Sequence, residues 1–407
     1  MDNAKILFVC PNVYIGGFSS YALNLSRAFR RLGVRTGSIV VDPYGSLAME
    51  FVNSFDDVIF RARKLERREN YVRRLLSTIS QWSPDCIIVN AVPAAQATFR
   101  HLDRKVVRIS VVHSVGRQEV ALGTADPDFI DAVIAVAENV HDRIRELRDH
   151  CPVQAIPVGV EIFPNELTAF KGGTIRLAHV GRLSPLAKNL ETIPLILDAL
   201  AGMGVPFTMS FVGDGEMRRV LEKRFAHCGY ARAVRFLGIL PPDGVRAALS
   251  DSHVLLLTSV SEGTPHAVLE AMERGMVPVV SRIAGATDRV ISHERNGFLC
   301  EPSSAPEFAD CVACLHNQPE VFTRMSQAAR QTVIYHFGVD MIAERYLKLI
   351  GNLGSRRRSM PASTVQNTSC VFDAELMAGC ASFPRHCRRL AGDAYRRIAF
   401  GIKRVKH

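Results

Sequence analysis

The stretch "HVLLLTSVSEGTPHAVLEAMERG", residues 253–275, contains the clearest local indication of the fold class. Residues 253–260 form a short apolar run that ends in small polar residues, which is typical of a buried parallel strand. The remainder is rich in helix formers, with Pro265 in the expected first helical turn and Gly275 as the expected terminating glycine. The stretch therefore predicts a strand, a tight loop and a helix, which is half of a βαβ unit.

The same alternation occurs in two series along the chain. The first begins with an apolar run at residues 4–10 and an amphipathic helix at 19–33, and the second begins with the strand-like residues 174–183. Residues 151–173, between the two series, contain the prolines and glycines of a linker. The pattern predicts an α/β protein with two Rossmann-like doubly wound domains that face each other across a cleft, where ligands bind beyond the carboxyl ends of the strands.

Length and composition indicate a globular protein of more than one domain. The chain has 407 residues, of which 47% are hydrophobic and 22% charged. Its first residues lack the pattern of a secretory signal, and no stretch approaches the roughly 18–20 apolar residues of a membrane-spanning helix, so we expect a cytoplasmic protein. The ten cysteines are scattered, and the "CVAC" sequence at residues 311–314 favours packing over zinc binding.

The net charge of +10 is concentrated near the carboxyl terminus. Residues 352–407 contain eleven Lys or Arg and three acidic residues, and so hold eight of the ten net charges. Within residues 383–407 an apolar stripe at i+4 spacing predicts an interfacial helix on an anionic membrane surface, and a disordered cationic tail is the alternative. The basic stretch at residues 60–76 is a second candidate membrane contact, and no nucleic-acid partner is expected.

Two carboxylates flank the loop of the opening stretch. Glu262 precedes the predicted helix and Glu270 lies within it, while residues 263–266 between them offer backbone N–H groups at the positive end of the helix dipole. The resulting order of acceptor, anion site and acceptor matches the sugar hydroxyls, diphosphate and ribose hydroxyls of a nucleotide-sugar. In this interpretation the glycine of the loop admits the phosphates.

Three further loops follow predicted strands in the same way. Gly16 and Gly17 lie between a strand and a helix, where backbone can approach an anion closely. His113 ends another strand, and Arg182 and Lys188 lie in a loop whose two cations suit a diphosphate. Taken singly, each loop also fits a structural role, as a plain turn, a buried histidine or a solvated pair of cations.

Together these motifs resemble the retaining glycosyltransferases of family 4, which have the GT-B fold. The E-x7-E element is residues 262–270, and the likeness extends to "GRLSPLAKNLE", "FVGDGE", "VRFLG", "NGFLCEP" and the amino-terminal "GG" in the same order. It covers about residues 5–353. The resemblance implies an amino-terminal acceptor domain at residues 1–165 and a donor domain at residues 166–335. A helix at residues 336–351 would cross back to the first domain, and a basic tail would follow at residues 352–407.

The resemblance also implies catalytic roles for particular residues. Arg182 and Lys188 would neutralise the donor diphosphate as it leaves. Glu262 would bind hydroxyls of the transferred sugar near the reacting carbon, and His113 would contact that sugar from the amino-terminal domain. Glu270 would bind the ribose.

Other matching positions would bind the nucleotide-sugar mainly through backbone. Gly16 and Gly17 would approach the phosphates or the acceptor, and Gly238 lies where the backbone of the family meets the base. The loop between the two glutamates would contribute Gly263, Thr264 and Pro265. Two departures are His266, which is unusual in that loop and would tune donor choice, and Ala137, where a serine is common.

The implied reaction moves a sugar from a UDP- or GDP-sugar to a glycan or lipid-linked acceptor with retention, in surface polysaccharide or lipopolysaccharide synthesis. The string Asp126-Pro-Asp128 resembles the Asp-x-Asp of metal-using enzymes, but Pro127 favours Asp126 as a helix cap, so we expect no metal and no cofactor. Peripheral attachment to the inner face of the plasma membrane follows from the basic tail. The alternatives are a nucleotide-sugar epimerase of the same fold and a non-catalytic scaffold that binds sugar nucleotides in a polysaccharide assembly complex.

Overall fold

The computed structural model describes residues 4–42, 44–60, 67–164, 167, 169–185 and 187–359. These residues contain two wholly parallel sheets. Seven strands form the first sheet in the order β3-β2-β1-β4-β5-β6-β7, and six form the second in the order β10-β9-β8-β11-β12-β13. The strands are β1 Lys5–Asn12, β2 Arg35–Asp42, β3 Asp57–Phe60, β4 Cys86–Asn90, β5 Val107–Val112, β6 Ala132–Ala135, β7 Val153–Ala155, β8 Ile175–Val180, β9 Phe207–Val212, β10 Val234–Gly238, β11 Val254–Leu257, β12 Val277–Ser281 and β13 Phe298–Cys300.

Helices connect these strands and cover the faces of the sheets, so each sheet is buried on both sides. The core strands are therefore continuous apolar runs, as in β4, whose residues are all buried. The helices are α1 Gly17–Arg31, α2 Ala48–Ser54, α3 Arg68–Trp82, α4 Pro93–Gln96, α5 Arg117–Gly123, α6 Glu138–Leu147, α7 Thr192–Gly202, α8 Arg218–Phe225, α9 Pro242–Ser250, α10 His266–Glu273, α11 Ala305–Asn317, α12 Pro319–His336 and α13 Val339–Ser359. The predicted α/β class and two doubly wound sheets are confirmed, with the first βαβ unit intact around α1.

Helix α13 returns the chain to the first sheet. It packs against α1, where the buried hydroxyls of Tyr21 and Tyr346 hydrogen-bond at 2.9 Å. The far end of α13 is attached to the residue just before β6: the Nε of Arg357 lies 2.5 Å from Oδ2 of Asp131. Residues 352–359 of the predicted basic tail continue this helix, and residues 360–407 lie outside the described part of the chain. The predicted domain limits stay predictions.

In the stretch that opens the sequence, the structure contains the expected strand, loop and helix. Helix α10 begins at His266, so Pro265 is its N-cap residue and not part of its first turn as predicted. Gly275 follows the C-cap with a φ of +78°, a conformation that glycine adopts without strain. In the described residues no helix is long and apolar enough to span a membrane.

Candidate active site

A cleft of about 1890 Å³ lies where the carboxyl ends of the two sheets meet. The loops after β1, β5, β8 and β11 all line it, and these are the four loops that the sequence selected. In parallel α/β sheets this edge collects functional groups because every strand ends there. The cleft therefore brings together His113, Arg182, Lys188, Glu262 and Glu270.

The loop between the two glutamates presents donors to this cleft. The backbone N–H groups of Gly263, Thr264 and His266 have no hydrogen-bond acceptor among the described residues. They lie at the start of α10, where the helix dipole is positive. Such N–H groups at a helix start can bind an anion, and Glu262 lies on one side of them and Glu270 on the other.

Lys188 and Glu262 form an ion pair inside the cleft. The Lys188 Nζ lies 2.6 Å from Oε1 of Glu262, and their side chains are 23% and 13% exposed. The loop that carries Lys188 is held at the end of β11, because the backbone oxygen of Lys188 accepts a hydrogen bond from Thr258 Oγ1 at 3.0 Å. Arg182 lines the same cleft, is exposed, and has no ion pair with any described residue.

The Glu270 carboxyl group has no partner among the residues that the structure describes. It lines the cleft from α10 and makes no hydrogen bond or ion pair with the described residues. Burial, and to a lesser extent the nearby charge of Glu273, raise the pKa of Glu270 to about 7. A partly buried acceptor of this kind suits a neutral group that brings its own donors, such as a pair of hydroxyls.

Gly263 has a reason to be glycine that the sequence did not reveal. A Cβ at this position would lie 2.5 Å from the backbone oxygen of His113, so a contact with the first sheet already excludes a side chain here. That Gly263 also admits the phosphates stays a prediction. The neighbouring Thr264 hydroxyl donates to the backbone oxygen of Val136, and Asn139 Nδ2 donates to the backbone oxygen of Glu262 at 2.9 Å. These contacts fasten the glutamate loop of the second sheet to the first.

His113 ends β5 and is held as a neutral imidazole. Its Nε2 lies 3.0 Å from Oδ1 of Asn90, and its ring lies against Phe18 and Tyr21 with centroid distances of 4.3 and 5.0 Å. Because an amide oxygen only accepts, Nε2–H is the donor of this bond. Burial, together with the nearby His266, lowers the pKa of His113 to about 3.

The remaining predicted binding glycines, Gly16, Gly17 and Gly238, differ in their surroundings. Gly16 caps α1, and a Cβ there would meet no atom within 4 Å, which leaves this side of the loop open. A Cβ on Gly17 would lie 3.5 Å from Cδ2 of His266. Gly238 ends β10 with a φ of +71°, and its backbone oxygen accepts from the Gly213 N–H at 2.8 Å.

The aspartates of the "DPD" string have other roles. Asp126 precedes a short 3₁₀ helix but makes no side-chain capping bond, contrary to the prediction; its Oδ1 lies 3.0 Å from Nη2 of Arg100. Within the described ranges no group of three or more His, Cys, Asp or Glu is placed to hold a metal ion. In the "CVAC" sequence, Cys311 has its Sγ 3.8 Å from that of Cys300, as packing predicts.

Sequence analysis missed a buried carboxylate at the back of the cleft. Glu273 is 3% exposed and pairs with Arg274 at 3.0 Å and with Arg330 at 3.1 Å. It also accepts from the Phe163 N–H at 3.0 Å, so it attaches the segment between the sheets to α10. Its position three residues after Glu270 was the only available signal, since Arg330 and Phe163 are distant in sequence.

Both halves of the chain match families of known proteins. A model described as "Glycosyltransferase Family 4" matches residues 15–162, and one described as "Glycosyl transferases group 1" matches residues 166–332. The N-acetyl-alpha-D-glucosaminyl L-malate synthase of Bacillus anthracis is 31% identical over 261 residues, which cover 59% of this chain and 67% of that protein. The chain belongs to glycosyltransferase family 4. The resemblance based on the two glutamates and their neighbouring loops is thereby confirmed at the level of the family.

A more distant relative and a solved structure are also similar to this chain. A galactosyltransferase of Escherichia coli, described as "UDP-Gal:alpha-D-GlcNAc-diphosphoundecaprenol alpha-1,3-galactosyltransferase", is 25% identical over 51% of this chain and 58% of its own. The crystal structure of Anabaena HepE with UDP and glucose superposes with a TM-score of 0.72, at 18% identity, over 86% of this chain and 100% of that one. This likeness confirms the GT-B fold. The chain spans about half the length of several curated relatives that it matches, 53% of one and 50% of another.

Proposed function

We propose that this protein is a hexosyltransferase that moves a sugar from a UDP- or GDP-sugar to a glycan or lipid-linked acceptor. One observation carries the proposal. A single cleft is lined by two cations, Arg182 and Lys188, and by the N–H groups at the start of α10 that have no acceptor among the described residues. Glu262 and Glu270 lie on either side of these N–H groups. Cations and helix-terminal amides stabilise a diphosphate, while carboxylates accept hydrogen bonds from hydroxyls.

The leaving diphosphate determines what these groups contribute to the reaction. Negative charge grows on it as the bond to the sugar breaks, and preorganised donors lower the energy of that state without moving. Removing one such donor typically costs on the order of 3 kcal/mol of transition-state stabilisation. We therefore propose metal-independent transfer without a cofactor, and activity that disappears in EDTA and returns with a divalent cation would overturn it.

Retention of configuration fits attack on the face of the sugar that the diphosphate leaves. Glu262 is the nucleophile candidate that sequence provides, but its ion pair with Lys188 at 2.6 Å lowers its nucleophilicity. A front-face attack assisted by the departing phosphate needs no protein nucleophile. In this mechanism Glu262 and His113 bind sugar hydroxyls, Glu270 binds the ribose, Gly238 approaches the base, and Gly16 and Gly17 approach the phosphates or acceptor.

A role in surface polysaccharide or lipopolysaccharide synthesis is supported by the matched galactosyltransferase, whose name specifies a diphosphoundecaprenol-linked acceptor. We propose a cytoplasmic enzyme that attaches to an anionic membrane through residues 360–407. Vesicles of phosphatidylglycerol and phosphatidylcholine test this attachment by sedimentation. Full-length protein should bind and a chain ending at residue 359 should not; equal binding of both would exclude the tail.

The decisive experiment measures thermal stabilisation by a panel of UDP-, GDP- and ADP-sugars. A ligand at 100 times its dissociation constant adds about 2.7 kcal/mol, which is readily detected. E270Q and K188A should both lose this stabilisation, and unchanged shifts in both would overturn the site. Release of nucleoside diphosphate only when an acceptor is present identifies a transferase. Interconversion of the sugar without an acceptor identifies an epimerase, and binding without turnover identifies a scaffold.

A further inference from the structure

His266 is a polar side chain in the cleft that the mechanism above does not use. It is the first residue of α10 and lines the cleft beside Thr264 and Glu270. Both ring nitrogens, Nδ1 and Nε2, are buried and have no hydrogen-bond partner among the described residues. Buried polar atoms are nearly always paired in folded proteins, so two unpaired atoms on one ring indicate partners that arrive with a ligand.

The surroundings of His266 keep its imidazole neutral. Burial lowers its pKa to about 4, and its position at the start of α10 disfavours a positive charge because the helix dipole is positive there. A neutral imidazole has one N–H donor and one nitrogen acceptor. The side chain therefore offers a donor and an acceptor together, without a charge.

The opposite wall of the cleft carries a second neutral imidazole. His113 is oriented by Asn90, which is 1% exposed, and is close enough to His266 for a charge on one to lower the pKa of the other. Gly17 approaches the His266 ring from the same wall. Two uncharged imidazoles, one from each sheet, thus lie at the place where the loops after β1, β5 and β11 meet.

We propose that His266 is a specificity-determining residue that hydrogen-bonds a hydroxyl of the transferred sugar. The inference rests on the proposed function and adds the chemistry that the subsite recognises. A hydroxyl both donates and accepts, so it can bond one imidazole nitrogen in either tautomer of the ring. The two nitrogens point in different directions, so the second one is paired by a different group of the ligand. A sugar without a hydroxyl at this position leaves the buried nitrogen unpaired, so we expect it to bind less well.

The test separates nucleotide affinity from sugar affinity. Calorimetric dissociation constants for UDP, GDP, UDP-glucose and GDP-mannose are compared in wild-type protein, H266L and H266N. Leucine keeps the volume without polar atoms, whereas asparagine keeps a donor and an acceptor. In H266L we expect unchanged nucleotide binding and about a tenfold loss of nucleotide-sugar binding, the effect of one hydrogen bond; H266N should recover most of it.

The outcomes distinguish this inference from the proposed function. If wild-type protein binds neither nucleotide, the proposed function fails and this inference fails with it. If wild-type protein binds nucleotides, two results overturn this inference alone. One is that H266L binds nucleotide-sugars as tightly as wild type does, and the other is that H266N loses as much nucleotide-sugar affinity as H266L. Should H266L not fold, nitrogen-15 spectra of wild-type protein with labelled histidine provide the test. The resonances of the His266 ring nitrogens should shift when nucleotide-sugar is added but not when nucleotide is added. A His266 ring that is protonated at pH 6 would contradict the proposal.

Discussion

Lys188 and Glu262 pair at 2.6 Å across two loops of the second sheet, one following β8 and the other following β11. The cation predicted for the diphosphate and the carboxylate predicted for the sugar are thus in contact with each other. In such an arrangement each charged group orients the other.

The first prediction concerns the strength of this pair. K188A and E262Q should each lower the free energy of unfolding, and the double variant should lose less than the sum, since the second change removes a group already unpaired. The expected coupling is on the order of 1.5–3 kcal/mol, as for hydrogen bonds to charged groups. Urea unfolding of all four proteins measures it, and additive losses would show that the pair contributes nothing.

Glu270 leads to a prediction about pH. Its pKa in the folded protein, about 7, lies above the ordinary value of 4.5, so folding holds a proton that the unfolded chain releases between these values. Stability from this group is therefore present below pH 4.5 and lost as pH rises to 7. Glutamine does not titrate, so E270Q removes the loss of stability that wild type shows as pH rises. E270Q should therefore melt at a higher temperature than wild type at pH 8, but at nearly the same temperature at pH 5.

The matched control for this experiment is E191Q, because Glu191 is exposed and lies outside the cleft lining. Its melting temperature should follow that of wild type at both pH values. A melting temperature of E270Q that stays parallel to wild type from pH 5 to pH 8 would show that Glu270 titrates normally. Greater stability at pH 8 combined with lost ligand binding would mark Glu270 as a residue that function retains at a cost in stability.

Gly263 provides a prediction about the contact between the sheets. G263A places a methyl group 2.5 Å from the His113 backbone oxygen, which only a shift of one loop relieves. We expect a loss of about 1–3 kcal/mol in unfolding free energy, as for other overpacked sites, together with weaker nucleotide-sugar binding. G229A is the control, since its methyl group meets nothing within 4 Å and Gly229 lies outside the cleft lining. Equal effects in both variants would be evidence against the contact.

The buried carboxylate of Glu273 predicts a large loss of stability. E273Q removes the negative charge that pairs with Arg274 and Arg330, which are 9% and 13% exposed. Breaking a buried pair in this way costs about 3–5 kcal/mol. D243N breaks the pair between Arg246 and Asp243, which is 86% exposed, and should cost no more than about 1 kcal/mol. Comparable chemical denaturation midpoints for the two variants would refute the structural role of Glu273.

Much of the fold was predictable because its signals are local. Apolar runs and helical periodicity locate strands such as β1 and β11, and glycines such as Gly33 and Gly275 mark helix ends through backbone conformations that span a few residues. The short elements α2 and β3 were not predicted, since neither has enough residues to establish a period. Helix ends also moved by one or two positions, as with Pro265 and α10.

The candidate site was predictable as a set of loops but not as a set of contacts. Strand ends in a parallel sheet share an edge, which suffices to bring His113, Arg182, Lys188 and the two glutamates to one cleft. The reason for Gly263 could not be inferred, because the atom that excludes a side chain belongs to His113, far away in the sequence.

Local sequence patterns were enough to establish the two α/β series, the glutamate loop with its helix start, and membership of family 4, because periodicity, capping and motif spacing are properties of neighbouring residues. Three features became known from the folded chain alone: Lys188 pairs with Glu262, Thr264 bonds to Val136, and neither ring nitrogen of His266 has a partner among the described residues. Such contacts join atoms brought together by the packing of two sheets and their loops. Their partners depend on positions in space that no local pattern encodes.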